Sequence, residues 1–236
     1  EADGTRPEVK LFDPAGITPA AGFSASVADL AKFARWTMRL AKTGEREVLR
    51  ASTLREMQRV HYIAPDWETS WGLGFSVRQE NGTTVVAHGG SCPGYRSALM
   101  IAPKEEMGVA VAMNAMDDPG LLARGIAALV KARGEAKPFD PVAGVDLGDY
   151  AGVYSGQPWD SDYMLIPWAG GLTWLDPDSG EPARRMWRLK PLGDDRFRVV
   201  TDKGEERDEV LFERDRAGKV RAVRQHSNTS RRLRGL

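Results

Sequence analysis

Few side chains in this 236-residue sequence have the type and setting to do chemistry, and most of them gather in one stretch. That stretch is His88-Gly89-Gly90-Ser91-Cys92-Pro93-Gly94-Tyr95-Arg96-Ser97, and His88 is the one histidine flanked by glycine. An imidazole titrates near neutral pH, and glycine lets a backbone approach a ligand closely. A strand ending in His-Gly-Gly therefore offers bare N–H groups and a titratable ring at a sheet edge. Taken alone, the stretch is better read as a hairpin loop with an incidental histidine, because turn chemistry accounts for most glycine-rich loops. His61 follows an amphipathic helix and reads as a packed or capping residue, while His226 lies among polar residues and reads as solvated. Three scattered histidines make no zinc motif, and no cofactor is implied. Cys92, the single cysteine, excludes an intrachain disulfide. As a nucleophile it needs a low pKa and a base in reach, and nothing beyond His88 supports that. Lys42-Thr43-Gly44 closes a predicted helix, where Lys and Gly are ordinary C-terminal caps.

The elements that must position these residues follow from pattern. Residues 1–22, rich in Pro, Gly and Ala, read as an extended entry segment. Ser26 and Asp29 form a capping-box pair ahead of a helix whose apolar face is Leu30, Phe33, Ala34, Thr37 and Leu40, with Gly44 as its stop. A shorter helix is predicted from about Ser52 to Val60. Strands are predicted at 71–78, 84–88, 97–102 and 109–114, with an Asn81-Gly82 hairpin turn. Asp118-Pro119 opens a further helix with Leu121, Leu122, Ile126, Leu129 and Val130 on its apolar face, ended by Gly134. Beyond a two-proline stretch at 135–146, short alternating runs begin at Tyr150, Tyr163, Leu172, Met186, Arg196, Glu209 and Val220. Turn signals such as Gly170-Gly171, Asp178-Ser179-Gly180 and Gly193-Asp194-Asp195 separate them, the signature of a small all-β barrel or curved sheet. Its aromatic residues read as core; Arg184-Arg185 and Arg231-Arg232 read as solvated pairs.

The ordered set Trp71-Gly72-Leu73-Gly74-Phe75, His88-Gly89-Gly90, Pro93-Gly94-Tyr95-Arg96-Ser97 and Gly108 to Asn114 resembles the C-terminal part of the serine β-lactamase-like family. That family includes class C-type β-lactamases, penicillin-binding DD-peptidases and related esterases. The segment Pro19 to Phe33 is similar to the one before the family's long helix, and the resemblance covers roughly residues 12–133. The resemblance implies an α+β fold: an antiparallel sheet with packed helices, a partial β-lactamase-like transpeptidase fold, followed by a small all-β barrel domain. The expected domains are 1–134, a linker at 135–146, and a lipocalin-like β-barrel at 147–236.

What the resemblance implies for chemistry is acyl transfer to a serine, then hydrolysis of an amide or ester, by a β-lactamase, DD-peptidase or esterase. Family members carry Ser-x-x-Lys, then Tyr-x-Asn, then Lys-Thr-Gly or His-x-Gly; His88-Gly89-Gly90 matches the third. By that pattern His88 faces the substrate and the N–H of Ser91 is one oxyanion-hole donor, making these two the catalytic candidates. Gly89, Gly90, Tyr95 and Arg96 are the substrate-binding candidates; Trp67 and Trp71 also flank the loop, with a core role for Trp71 standing equally open. No Ser-x-x-Lys occurs in the sequence, and Tyr95-Arg96-Ser97 follows the third motif instead of preceding it. The expectation is a C-terminal fragment, inactive alone, whose nucleophile lies in an N-terminal half; the alternative is a non-catalytic binding or regulatory module that keeps the cleft fold.

Charge and hydropathy narrow the partners. The 33 Lys and Arg balance 33 Asp and Glu, so nothing favours nucleic acid, and no apolar run approaches the ~20 residues that span a bilayer. The partners expected are a small-molecule or peptide substrate, the N-terminal half of the same protein, and further copies through an uncovered sheet. The sequence, which starts at Glu1 with no signal peptide, leaves the compartment open; the resemblance implies a periplasmic or secreted one.

Overall fold

A computed structural model describes residues 5, 8–10, 12–80, 82–176, 183 and 186–236. The Asn81 half of the first hairpin turn, the Asp178-Ser179-Gly180 turn and the Arg184-Arg185 pair lie outside the described residues. The chain divides into two compact units, residues 1–127 and 128–236.

The first unit is built on a six-stranded antiparallel meander, in spatial and chain order: β1 (Tyr62–Ile63), β2 (Ser70–Trp71), β3 (Ser76–Glu80), β4 (Thr83–Cys92), β5 (Tyr95–Ala102) and β6 (Met107–Met113). Ahead of it come the short helix α1 (Thr18–Ala21), α2 (Val27–Thr43) and α3 (Ala51–Met57), and after it α4 (Pro119–Glu135). Ser26 caps α2 as its type dictates: its hydroxyl accepts the Asp29 N–H at 3.2 Å while Asp29 accepts the Ser26 N–H. The Ser26 hydroxyl also donates to the Asp29 carboxylate at 2.7 Å, and that bond, then the Lys32 ammonium and the Ser26 N–H, draw the carboxyl down to about 2. Gly44 ends the helix in the left-handed region, so Lys42-Thr43-Gly44 is a cap.

Strand alternation gives the sheet two apolar faces. Val77, Val86, Leu99 and Ile101 pack with Ala34 of α2 on one; Val85, Met100, Val109 and Val111 pack with Ala123 and Ala127 of α4 on the other. The α4 contact corrects the expected apolar face. The small residues Ala123 and Ala127 meet the sheet, because only they allow close helix approach, while Leu121 and Leu122 are half exposed or more. The helix also runs through Gly134 to Glu135. The single strand expected at 71–78 is broken: Gly72 donates to the Phe75 carbonyl and Leu73 to the Met57 carbonyl, drawing the chain onto the end of α3.

The second unit is a closed eight-stranded barrel of β7 (Gly152–Tyr154), β8 (Tyr163–Trp168), β9 (Gly171–Leu175), β10 (Arg188–Gly193), β11 (Arg196–Val200), β12 (Glu206–Arg214), β13 (Val220–Gln225) and β14 (Asn228–Gly235), with β14 pairing β7 to close it. The sequence pattern suggested seven runs. The eighth, β14, is polar throughout except Leu233, so it carries no alternating apolar signal; ladder hydrogen bonds hold it. Side chains fill the barrel. Tyr150, Phe197 and Phe212 meet edge to face at about 5 Å, and Tyr163 stacks on Trp174 at 3.8 Å. Arg232 is not a solvated residue: half buried, it donates to the carbonyls of Val220 and Ala151.

Candidate active site

Residues 88–92 do not form a loop. Strand β4 continues to Cys92, each residue pairing with β5: Gly89 with Ala98, Gly90 with Ser97, Ser91 with Arg96, Cys92 with Tyr95. The turn is only Pro93-Gly94. Proline sets φ near −65° at the first position, and Gly94 at φ +79° supplies the left-handed second, a type II pattern.

On its other side β4 is covered only as far as Ala87, which pairs with Ser76 at the start of β3. Beyond that pair, among the described residues, no strand lies beside residues 88–92. The tight turn makes Cys92 and Tyr95 face one another, and antiparallel alternation then directs the N–H groups of Gly89 and Ser91 to the open side. Two hydrogen bonds agree with that parity. The Ser76 hydroxyl reaches the Ala87 carbonyl at 3.1 Å, and His88 Nδ1 lies 2.7 Å from the Gly89 carbonyl. A carbonyl only accepts, so Nδ1 carries a proton in that contact. The exposed His88 ring sits edge-on to Trp71 at 6.4 Å between centroids.

The six sequence-derived residues sort by side. His88 and Gly90 alternate onto the α2 face of the strand, with Tyr95 opposite Cys92 at the hairpin tip, 57% exposed. Ser91, Gly89 and Arg96 alternate onto the α4 face. The Ser91 hydroxyl thus points away from the His88 face, and what Ser91 offers the open edge is its N–H. Arg96 is occupied: its guanidinium donates to the Met116 carbonyl at 3.0 Å, holding the segment that leads into α4. A depression of about 310 Å³ follows this edge, lined by Ser76, Arg78, Gly89, Ser91 and, from the start of α4, Gly120 and Arg124. Arg78 and Arg124 carried no sequence signal, since neither sits in a motif. Ser97, expected only as the start of the strand at 97–102, stands against Gly90, where a Cβ would lie 2.7 Å from its hydroxyl. Among the described residues no group of three or more His, Cys, Asp or Glu could hold a metal ion, and no helix is long and apolar enough to cross a membrane.

A family model described as Beta-lactamase matches residues 1–133. The chain belongs to the β-lactamase family. No curated protein matches it. Solved structures similar to it include the octameric penicillin-binding protein homologue from Pyrococcus abyssi, 17% identical over 87% of this chain and 46% of that one, with a TM-score of 0.42. SurE is 23% identical over 89% of this chain and 48% of its own, TM-score 0.37. A D-stereospecific amidohydrolase from Streptomyces sp. is 27% identical over 37% of this chain and 25% of its own, TM-score 0.32. This β-lactamase-family chain spans about half the length of the first two. Within it the open β4 edge places the outward N–H groups of Gly89 and Ser91 beside the exposed imidazole of His88.

Proposed function

We propose that residues 1–134 form the cleft-lining part of a serine hydrolase that acylates a serine and hydrolyses an amide or ester, and that residues 147–236, joined by 135–146, form a lipocalin-like accessory barrel. The observation that carries the reading is the unpaired edge of β4 at His88–Ser91. A substrate lying along that edge adds a short strand to the sheet. Its scissile carbonyl then meets the Ser91 N–H, which stabilises charge that develops on oxygen in the tetrahedral intermediate. His88 presents Nε2 to the polar or anionic group of the substrate, or takes a proton there. Gly89 and Gly90 keep the edge free of side chains, and Tyr95 borders it. Arg96 serves through the backbone it holds.

The acylated serine and its lysine come from a Ser-x-x-Lys segment outside these 236 residues, since none occurs within them. That same fact favours a second reading, a binding or regulatory module with the cleft retained. Labelling with a fluorescent penicillin and a fluorophosphonate separates them. The chain alone is expected to take up no label at serine, and to support labelling when joined to the Ser-x-x-Lys portion of its own gene. Burst acylation at a serine of the isolated chain contradicts the division of labour; no acylation in either form leaves the binding module. Cys92→Ser, run in parallel, removes adventitious thiol labelling. The outward Leu121, Leu122 and Ile126 of α4 support self-association of the isolated chain.

A further inference from the structure

On the barrel, β12, β13 and β14 wall a depression of about 540 Å³. Five cations line it, Lys219, Arg221, Arg231, Arg232 and Arg234, against two acids, Glu213 and Asp215. Both acids are already engaged. Glu213 accepts from Arg221 at 2.9 Å, and Asp215 accepts the backbone N–H groups of Ala217 and Lys219, each at 2.9 Å. Arg232 is pinned to backbone carbonyls, with its Nε buried and unpartnered. The side chains of Lys219, Arg231 and Arg234 have no hydrogen-bond or ion-pair partner among the described residues. Five cations against two carboxylates leave a formal excess of three positive charges.

Backbone geometry builds this convergence. Residues three apart on a regular strand point to opposite faces, so Arg231 and Arg234 should diverge. A register shift between Arg232 and Arg234 inserts Leu233 and returns Arg234 to the outer face with Arg231. Arg231 stands opposite Ala222, which stands opposite Glu213, and the buried Ala222 forms a small apolar floor between them.

We propose that this depression binds a multiply charged phosphoryl group, a diphosphate or phosphomonoester, free or as a lipid headgroup. Guanidinium forks match phosphate oxygens in pairs, and three uncompensated charges suit a polyvalent anion better than a single carboxylate. The site is independent of the β4 edge and of any reading of its chemistry.

Calorimetric titration of the 236-residue chain with inorganic pyrophosphate tests it, alongside sedimentation with vesicles containing phosphatidic acid, whose headgroup is a phosphomonoester, and with phosphatidylcholine vesicles. Pyrophosphate binding is expected to weaken by about tenfold or more in Arg231→Ala/Arg234→Ala and to be unchanged in Arg207→Ala, a barrel cation away from the depression. Should the alanine pair misfold, Arg231→Gln/Arg234→Gln keeps the side-chain stems and reads the same loss. Capture by phosphatidic acid vesicles that pyrophosphate competes away assigns the headgroup as source; pyrophosphate binding without vesicle capture assigns a soluble ligand. Absence of both, or binding indifferent to Arg231 and Arg234, overturns the proposal.

Discussion

Gly90 and Gly94 matter for different reasons, and each reason predicts a different outcome. At Gly94 the backbone is left-handed, and an added Cβ would lie 2.9 Å from Val9. Gly94→Ala is expected to cost about 1–2 kcal/mol in chemical denaturation, from the left-handed conformation alone. Gly90 has ordinary strand geometry, so alanine there lowers the entropy of the unfolded chain and should help by a few tenths of a kcal/mol. The Ser97 hydroxyl reverses that sign by standing where the Cβ must go. Gly90→Ala is therefore expected to destabilise by about 1 kcal/mol in the native background and to be neutral or stabilising beside Ser97→Gly, a coupling that a double-mutant cycle reads directly. Equal effects in both backgrounds contradict the contact. The chemistry of these positions was legible as a motif. The side of the strand each one faces was not, because a glycine run reads as a loop until β5 is seen to pair with it. That is why Ser91 and Arg96 turn out to lie on the face opposite His88.

At the scale of elements, the barrel is held shut at one end by a polar cluster. The Tyr150 hydroxyl donates to Asp195 at 2.7 Å, and Arg214 grips the same carboxylate with two nitrogens at 2.9 and 3.0 Å. Asp195 sits in the two-residue turn between β10 and β11, where its left-handed φ aims the carboxylate at β12. Hydrogen bonds from Arg214, then Tyr150, hold that carboxyl below its ordinary value against the opposing effect of burial. A depressed folded-state pKa means stability that is fully present above the unfolded value near 4 and lost as pH falls through the folded value. Asp195→Asn is thus expected to cost about 2 kcal/mol at pH 7 and to flatten the loss of stability below about pH 4. An unchanged acid slope contradicts the role. The opposite sign applies to Tyr163, which burial pushes up to about 12. Its contribution is complete below pH 10 and declines between about 10 and 12, as the unfolded phenol ionises first. Tyr163→Phe should flatten the loss of stability between about pH 10 and 12 in chemical denaturation, and an unchanged alkaline slope contradicts the role. The Gly-Asp-Asp turn and the aromatic alternation announced this barrel; the polar strand that closes it gave no periodic signal, since β14 carries arginine both exposed, at Arg231 and Arg234, and half buried, at Arg232.

For the whole molecule, the α2 contact with the sheet and the aromatic core of the barrel were readable from helix spacing and alternation, and so was the succession of a helix-and-sheet pattern by a barrel pattern. The orientation of α4 was not, because Leu-Leu-Ala-Arg-Gly-Ile-Ala offers a bulky face and a small one, and only the sheet decides which is buried. The outward leucines predict that the isolated chain binds an apolar-surface dye and self-associates in sedimentation, and that Leu122→Glu reduces both; a dye-silent monomer counts against an uncovered α4. The central claim is that the open β4 edge beside His88 is where acyl transfer is assisted. It is tested most directly by measuring, in the chain joined to the Ser-x-x-Lys portion proposed for it, the penicillin acylation rate and the melting temperature of His88→Ala together. His88 is exposed and its hydrogen bond is to its own neighbour, so the melting temperature should stay within about 2 °C while acylation falls about 100-fold. Normal acylation by folded His88→Ala protein, or a large fall in melting temperature with the rate per folded molecule unchanged, would contradict it.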